Sequence, residues 1–496
     1  MKEKENTKAS TGAASDQSIK IGGRAFLLSA AIILALMIVS GILTRVIPAG
    51  VYDRVVSDGR TLVVNGSYQV IDSPAYPIWH WFTAPIEVLF GPDNLTLIVL
   101  ISFISVAGGA FAILESAGGM KAMLSFLVKK FSKRKYLLIT VMIFFFMAGS
   151  SFIGIYEEMV PLIIFIVPIA ISLGWDSLTG LGMSLLPLAF GFASAVTNPF
   201  TIAVAQKIAG LPLFSGAPLR LVFFFTVLCL VCFFVIRYAK KVEKTPQISI
   251  CYKEDEELRQ RMGRSGADAR QDDITKDQWH ALIWFASCVA VAMLLVLCVA
   301  GFPTLSDLAL PVMTLLFFVG GIGSGIYVKF GAAKIGKIFC KGVLNFLPGI
   351  LLVLMAYSVK HIITTGMIMD TILYGAARLI SGSPPLVAAF LVYATTLVMN
   401  FFIGSASAKA FLMMPLLTPL ADLVGITRQT AILAFDFGDG FSNMIFPTNA
   451  LLLIALSFSV VSYTKWMRWT WKLQFVILAI TSAFLAFAVA IGFGPF

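Results

Sequence analysis

Charged residues are scarce in this sequence, and their scarcity excludes a soluble globular enzyme. Asp, Glu, Lys and Arg together make up 13% of the 496 residues, whereas 58% of the residues are hydrophobic. Soluble domains carry roughly a quarter charged and half apolar residues, and no soluble core could enclose the excess seen here. A lipid bilayer can, because each spanning helix needs about 20 mostly apolar residues. We therefore predict an all-α polytopic membrane protein.

Catalytic and metal-binding motifs are also missing. The three histidines are scattered, and no His-Glu-x-x-His or nucleophile-elbow pattern occurs. A near match to a phosphate-binding loop at residues 331–337 lacks the following Ser or Thr that Mg²⁺ requires. The six cysteines lie mostly in apolar segments, where we expect them to pack rather than to form disulfides. We predict no enzyme, no metal site and no cofactor, with coupling to H⁺ or Na⁺ left open.

The basic residues, which give a net charge of +11, cluster at the ends of apolar runs. This distribution follows the positive-inside rule and does not indicate a nucleic-acid partner. We predict a cytoplasmic tail over residues 1–24, a first spanning helix over 25–48, too long for a cleaved signal, and an external loop over 49–95. The turn signals Asp58-Gly59 and Asn65-Gly66 favour a small β-hairpin within that loop.

The remaining chain divides at its polar and basic stretches. We expect a first transport repeat over residues 96–237 and a solvated cytoplasmic linker of mixed charge over 238–278. Connecting helices follow over 279–342, and an inverted second repeat with the last span occupies 343–496. The protein then crosses the cytoplasmic (inner) membrane about nine times. Its N-terminus lies inside and its C-terminus outside, its partners are the bilayer and a small-molecule substrate, and a homodimer is left open.

Two segments are predicted to form re-entrant hairpins. Residues 136–173 are too long for one span and carry Glu157-Glu158 in their middle, where lipid-facing carboxylates would cost several kcal/mol. A break near residues 149–156 solves this, since non-helical backbone is tolerated at this depth only when it is buried in protein or lines water. Residues 385–424 form the second candidate hairpin, which turns at 404–409.

An internal repeat links the two halves of the chain. Residues 168–198 align without a gap on 419–449, at a constant offset of 251, with seven identities in 31 columns. The distribution of basic residues makes the first copy run outward and the second run inward, so we predict an inverted repeat. Such repeats, with discontinuous helices near the bilayer midplane, are typical of secondary transporters.

Each copy contains a candidate helix break with side-chain oxygens beside it. Proline removes a backbone donor and clashes with the preceding turn, so Pro199 and Pro447 should break their helices and leave backbone groups free to bind ions or substrate. The adjacent polar residues are predicted to bind substrate or ions: Thr197, Asn198, Thr448 and Asn449. The alternative is a pair of proline kinks that neighbouring helices satisfy.

Charged and hydroxyl residues in apolar surroundings complete the predicted binding site. They are Glu157 and Glu158 at the first hairpin, Ser405, Ser407 and Lys409 at the second, and Asp436, Asp439 and Asn443 in the second broken helix. Asp436 and Asp439 are three residues apart, so on a helix they share a face. Two alternatives stay open. The Glu pair could simply reach water, and Lys409 could meet a substrate carboxylate, the Glu pair, or a purely structural partner.

The chain resembles the YfcC-type carriers, which are grouped with the four-carbon dicarboxylate anaerobic carriers. The resemblance runs from about residue 25 to the C-terminus. It rests on Glu157-Glu158 and on these motifs: Ile47-Pro-Ala-Gly-Val-Tyr52, Thr197-Asn-Pro-Phe-Thr201, Ala205-Gln206, Pro419-Leu-Ala-Asp422, Arg428-Gln429, Phe437-Gly-Asp-Gly440 and Pro447-Thr448. It implies the ion-transporter superfamily, with two hairpins and two broken helices around the site. Gly404 and Asp436 depart from the family pattern, in which a proline and an uncharged amide usually stand.

We predict a secondary active transporter or antiporter for a small charged metabolite. Four carboxylates against Lys409 give the predicted site a negative sum, which repels a dianion and attracts a cation. A basic amino acid such as arginine or ornithine is therefore the favoured substrate. A C4-dicarboxylate or other organic acid, coupled to cations, is the alternative, and a channel is a remote one.

Overall fold

Helices make up nearly all of the structure, a computed structural model that describes residues 23–57, 60–74, 76–91, 94–131, 134–267, 274–300 and 308–494. The first half contains α1 (Gly23–Val46), α2 (His80–Glu87), α3 (Asn94–Ser116), α4 (Gly119–Phe131), α5 (Lys135–Ala148), α6 (Ile163–Ser172), α7 (Ser177–Gly182), α8 (Leu185–Ala193), α9 (Val204–Ile208) and α10 (Ala217–Lys244). The second half contains α11 (Tyr252–Ala267), α12 (Lys276–Ala300), α13 (Ala309–Tyr327), α14 (Ala332–Thr365), α15 (Met369–Ser381), α16 (Pro385–Phe402), α17 (Ala406–Val424), α18 (Arg428–Gly440), α19 (Ala450–Ser457) and α20 (Tyr463–Ala490).

Ten helical segments of the described chain are long and apolar enough to cross a membrane. They belong to α1, α3, α5, α10, α12, α13, α14, α16, α17 and α20. The prediction of a polytopic all-α membrane protein is therefore confirmed. Compared with the predicted nine full spans, three segments that the sequence assigned to hairpins are of spanning length: Lys135–Ile153, α16 and α17. The two predicted broken spans, residues 177–207 and 427–456, are not among the ten.

The segment between α1 and α3 contains the predicted β-hairpin. Strand β2 (Arg54–Ser57) pairs antiparallel with β3 (Arg60–Val63), and β1 (Gly50–Val51) pairs with β4 (Gln69–Val70). The turn residues 58 and 59 themselves lie outside the described residues. The Arg54 guanidinium holds this segment against α15 through an ion pair with Asp370, at 2.8 Å.

A framework of α3, α12, α13 and α14 packs beside the two interrupted regions. Its helices approach closely where small residues face each other: a Cβ on Gly321 of α13 would lie 2.5 Å from the Cα of Ala110 in α3. Such contacts are the usual means of helix association in lipid, where apolar burial gives little driving force. The Gly-rich stretch around Gly321 thus allows α13 to pack closely on α3.

Equivalent helices of the two repeats end and begin at equivalent positions. Gly174 and Gly425, which are equivalent at offset 251, both adopt a left-handed conformation, with φ of +91° and +75°. Two residues further on, Asp176 and Thr427 cap α7 and α18 by accepting a hydrogen bond from the backbone N–H groups of Thr179 and Thr430. Equivalent residues therefore end and begin equivalent helices.

A direct contact between equivalent residues also relates the repeats. The rings of Phe190 in α8 and Phe441, just after α18, lie 5.0 Å apart between centroids. Gly440 packs directly on Ala193 of α8, where any side chain would collide with the backbone. Residues that are equivalent by symmetry touch each other at a two-fold axis, so this contact agrees with a two-fold relation between the repeats.

The segment predicted to be a solvated linker is docked on the helical body over part of its length, which corrects that expectation. Cys251 and Asp255 are fully buried. The Asp255 carboxylate accepts hydrogen bonds from the hydroxyl and backbone N–H of Ser177, at 2.5 and 3.2 Å, and Arg259 donates to the Trp175 carbonyl at 2.8 Å. Mixed charge indicated solvation, but these charged groups are the contacts that fix α11 to the start of α7.

The docking of α11 should depend on pH through Asp255. Burial, together with the negative charge of Asp176, raises the pKa of the Asp255 carboxyl to about 7. A carboxyl whose pKa is higher folded than unfolded contributes stability below about pH 4, and this contribution is lost as the pH rises through about 7. Between pH 5 and 8, we expect the Tm of the wild type to fall by about 2 °C more than that of Asp255→Asn. Equal slopes in the two proteins would contradict this assignment.

Candidate functional site

The first helix break lies between α8 and the helical turn that begins at Pro199. Asn198 caps that turn, and its side-chain oxygen accepts from the N–H groups of Phe200 and Thr201 at 2.8 and 3.3 Å. Its amide donates to the Ser150 carbonyl of the first hairpin at 3.2 Å. Thr197 donates to the Phe152 carbonyl at 2.9 Å. Hydrogen bonds thus hold the first helix break against the turn of the first hairpin.

The second break has the same construction. Asn449 caps α19 by accepting from the N–H groups of Leu451 and Leu452 at 2.9 and 3.3 Å. Its amide donates to the side-chain oxygen of Asn443 at 2.8 Å. The hydroxyl of Thr448 is buried and has no hydrogen-bond partner in the described chain. Asn198 and Asn449 therefore both cap the helix that follows the break in their repeat, which agrees with their equivalence at offset 251.

A buried ion pair joins the second hairpin to the second broken helix. The ammonium of Lys409 in α17 contacts the Asp439 carboxylate of α18, and both side chains are fully buried. Lys409 also donates to the side-chain oxygen of Asn400, the amide of which donates to Ser442 at 2.6 Å and to Asn443 at 3.0 Å. Of the partners left open for Lys409, the structure shows Asp439 and not the Glu pair.

Asp436 lies one turn before Asp439 and differs from it in having no direct partner. It is 1% exposed, and neither carboxylate oxygen accepts a hydrogen bond within the described chain. The positive charge that acts on it belongs to Arg220 in α10. The contact between the rings of Phe223 and Phe437, 4.5 Å between centroids, brings these two helical turns together.

Arg220 connects this carboxylate to the first repeat. Its guanidinium donates to the carbonyls of Ser215 and Val196 at 2.9 and 3.1 Å, while its Nε is buried without a partner. Val196 belongs to the first helix break. One buried cation thus holds backbone of repeat 1 while its charge acts on a carboxylate of repeat 2.

Glu157 and Glu158 begin a short 3₁₀ turn at the break of the first hairpin. Glu157 is exposed and Glu158 half-buried, so a solute can reach the Glu157 carboxylate. Tyr156, whose hydroxyl is buried without a partner, experiences the charges of both Glu157 and Asp439. The Glu pair therefore lies near the ion pair without contacting it.

The remaining predicted residues sit at helix starts around these groups. The Ser405 hydroxyl caps α17 by accepting from the Ala408 N–H at 3.4 Å, and it lies 3.4 Å from the Ser407 hydroxyl. Pro199 occupies the first position of the turn that Asn198 caps, where a missing N–H costs nothing. Pro447 lies within the second break. Pro199 therefore starts a new helix and Pro447 lies in the loop before α19, so neither kinks a continuous helix.

Three residues of this site were not predicted from the sequence: Asn400, Ser442 and Arg220. Asn400 is a lone amide at the end of an apolar run, just before the second hairpin turn, and this position was a usable signal. Arg220 lies at the end of its span that the predicted topology places outside, against the positive-inside rule. An isolated basic residue in such a position is a sign of a buried charge with a partner. Only a folded chain brings Arg220 to Asp436, because 216 positions separate them.

The two interrupted repeats and the buried charges between them define a membrane transport protein. The chain belongs to the C4-dicarboxylate anaerobic carrier family, whose family model matches residues 26–490. It is 32% identical over 470 residues to the Escherichia coli K12 protein named "Putative basic amino acid antiporter YfcC", covering 88% of this chain and 91% of that protein. The resemblance stated from the motifs is confirmed.

Other similarities are weaker. A protein from Haemophilus influenzae is 24% identical over 435 residues, covering 87% of this chain and 82% of that protein. Among solved structures, that of Neisseria gonorrhoeae MtrF, described as representing a class of antimetabolite efflux pumps, aligns with a TM-score of 0.44 and 17% identity over 93% of this chain and 95% of that one.

Proposed function

We propose that the protein is a secondary active antiporter that exchanges small charged metabolites, with basic amino acids such as arginine and ornithine as its favoured substrates. The observation that carries this proposal is the buried pair of Lys409 and Asp439 at the second helix break. The name of the 32% identical relative agrees with this choice. The charge distribution of the sequence favours the cytoplasmic membrane, with the N-terminus inside.

The ion pair matches the two charges of an amino acid. Without substrate, Lys409 and Asp439 neutralise each other and leave no net charge in the interior. A zwitterionic substrate can insert between them, its ammonium replacing Lys409 beside Asp439 and its carboxylate replacing Asp439 beside Lys409. Since an unpaired buried charge costs several kcal/mol, each of the two charges should always be paired, either with the other or with the substrate.

The side chain of a basic substrate needs a further acid. Glu157 is exposed and Glu158 half-buried near the pair, and neither carboxylate forms an ion pair within the described chain. A guanidinium or second ammonium would bind them favourably. A C4-dicarboxylate is the second candidate, because the family is named for it. It would require cations to neutralise the acids first.

We assign the coupling role to Asp436, whose two carboxylate oxygens are buried without hydrogen bonds. Binding H⁺ or Na⁺ there would neutralise the carboxylate whose charge acts on Arg220, the residue that donates to the Val196 carbonyl of the first break. We expect Asp436→Asn to keep exchange within about threefold of the wild type, because the amide mimics the neutral carboxyl. The variant should lose the stimulation of uptake by an imposed pH or Na⁺ gradient. Asp422→Asn, at an exposed ion pair with Arg428, is the matched control, and a fully retained gradient response in Asp436→Asn would refute the assignment.

Exchange itself is tested in proteoliposomes. Vesicles preloaded with unlabelled arginine should take up labelled arginine or ornithine faster than empty vesicles do. A channel shows no such stimulation from the opposite side, so equal rates in loaded and empty vesicles would reject the antiporter. Failure of both amino acids, with stimulation by succinate, would favour the dicarboxylate alternative.

A further inference from the structure

A groove on the lipid-facing side of α10 combines basic and apolar residues in a way that the transport site does not use. Its volume is about 530 Å³, and it is lined by the basic residues Arg237, Lys240, Lys241 and Lys244. The apolar residues Cys232, Phe233 and Ile236 also line it. Charge and hydrophobic surface therefore meet within one recess, at the end of a candidate spanning helix.

The four basic residues form one stripe. Their spacing of three and four residues places them on the same face of α10, and all four side chains are exposed. The acid next to them in sequence is engaged elsewhere, because Glu243 pairs with Lys135 at 2.5 Å and accepts from the Tyr136 hydroxyl at 2.6 Å. No described carboxylate is seen paired with any of the four cations.

On the same face of α10, the four basic residues are followed by a line of exposed apolar residues, the apolar track. Phe225 and Phe233 are 50% and 62% exposed, and Cys229 between them is also exposed. Residues at positions 225, 229, 233, 237, 240 and 244 are three or four apart, so they follow one line along the helix. An acyl chain could lie along the apolar part of this line while its headgroup reaches the cations.

We propose that this groove binds an anionic phospholipid, with its phosphodiester headgroup at Arg237, Lys240, Lys241 and Lys244. Clusters of basic residues where a spanning helix leaves the membrane attract anionic lipids, and each contributes roughly fivefold in affinity. The apolar track distinguishes a lipid from a soluble phosphate, which would gain nothing from it. The proposal is independent of the transported substrate.

Bound lipid would stabilise the start of the first broken helix. Tyr238 lies on α10 between the cations and donates to Asp176, the cap of α7, at 2.6 Å. Ser249, which follows the end of α10, donates to the same carboxylate at 2.7 Å. A headgroup that fixes this end of α10 therefore fixes the contacts to α7.

The test is native mass spectrometry of the purified full chain with added phosphatidylglycerol or phosphatidylethanolamine. We expect K240Q/K241Q/K244Q to lower the affinity for phosphatidylglycerol at least about tenfold, given roughly fivefold per residue. The control K329Q/K334Q/K337Q removes three exposed lysines from another basic cluster, outside this groove, and it should stay within about twofold of the wild type. Equal loss in both variants would overturn the site in favour of general surface charge.

Two further measurements distinguish an anionic lipid from a zwitterionic lipid and from a soluble phosphate. Equal binding of the two lipids, or complete displacement of phosphatidylglycerol by millimolar glycerol phosphate, would also overturn the proposal. Since a triple Gln variant can fail to fold, K240R/K241R/K244R and the single variant Lys241→Gln are measured in parallel. The Arg variant should bind as the wild type does, and Lys241→Gln should bind about fivefold more weakly. Unchanged binding in Lys241→Gln together with loss in the Arg variant would contradict a charge-based site.

Discussion

Lys409→Met should remove nearly all exchange and also destabilise the protein. The substitution leaves Asp439 buried without its cation, and breaking a buried ion pair costs about 3–5 kcal/mol. Substrate binding should lose a charged hydrogen bond, about 1.5–3 kcal/mol, which corresponds to roughly 10- to 150-fold in affinity. The measurements are thermal unfolding of the purified protein and arginine exchange in proteoliposomes, each normalised to the amount of folded protein.

The double variant Lys409→Met/Asp439→Asn separates a binding role from a structural one. It removes both charges, so no unpaired ion remains in the interior and most of the lost Tm should return. Exchange should stay abolished, because neither charge of the substrate then finds its partner. If the double variant transports as well as the wild type, the pair only holds α17 against α18, which is the structural alternative that the sequence left open.

Asn198→Ala and Asn449→Ala should each lower exchange by about tenfold or more. Each asparagine caps the half-helix after a break, and loss of a cap costs about 1 kcal/mol. Asn449 also donates to Asn443 in the network around Lys409, and Asn198 donates to Ser150 at the first hairpin. Their loss should therefore distort both breaks while the remaining packing keeps the protein folded. Uptake and the amount of protein in the membrane are measured together.

Thr427→Ala is the matched control for these two variants. Thr427 caps α18, outside both breaks, through a hydrogen bond from the Thr430 N–H. It should lose a similar amount of stability and keep exchange within about twofold. If all three variants lose exchange equally, the effect is general destabilisation. If the Asn variants transport normally, the breaks do not form the site.

The sequence was sufficient for the features that depend on local chemistry. Apolar runs of spanning length predict the helices, and proline beside Asn198 and Asn449 predicts where the helices stop. The constant offset of 251 predicts equivalent environments, and the equivalent caps at Asp176 and Thr427 agree with it. Each of these patterns is a direct consequence of backbone geometry, so it can be found without a structure.

The pairings between distant residues could not be predicted in this way. Several carboxylates were available to Lys409, and only the packing of α17 on α18 selects Asp439. Arg220 looked like an exception to the charge distribution, and its role emerges only when α10 packs beside α18. Mixed charge made residues 238–278 look solvated, because composition does not reveal that Asp255 has Ser177 as a buried partner.

Competition for exchange tests the proposed substrate class most directly. Proteoliposomes containing the wild-type protein are loaded with arginine, and uptake of labelled arginine is measured with excess unlabelled arginine, ornithine, lysine, succinate or malate outside. We expect the three basic amino acids to compete and the two dicarboxylates not to, because the acids around Lys409 attract cations and repel dianions. If no arginine uptake occurs, or if succinate or malate competes while ornithine and lysine do not, the charge-based assignment of the substrate is wrong.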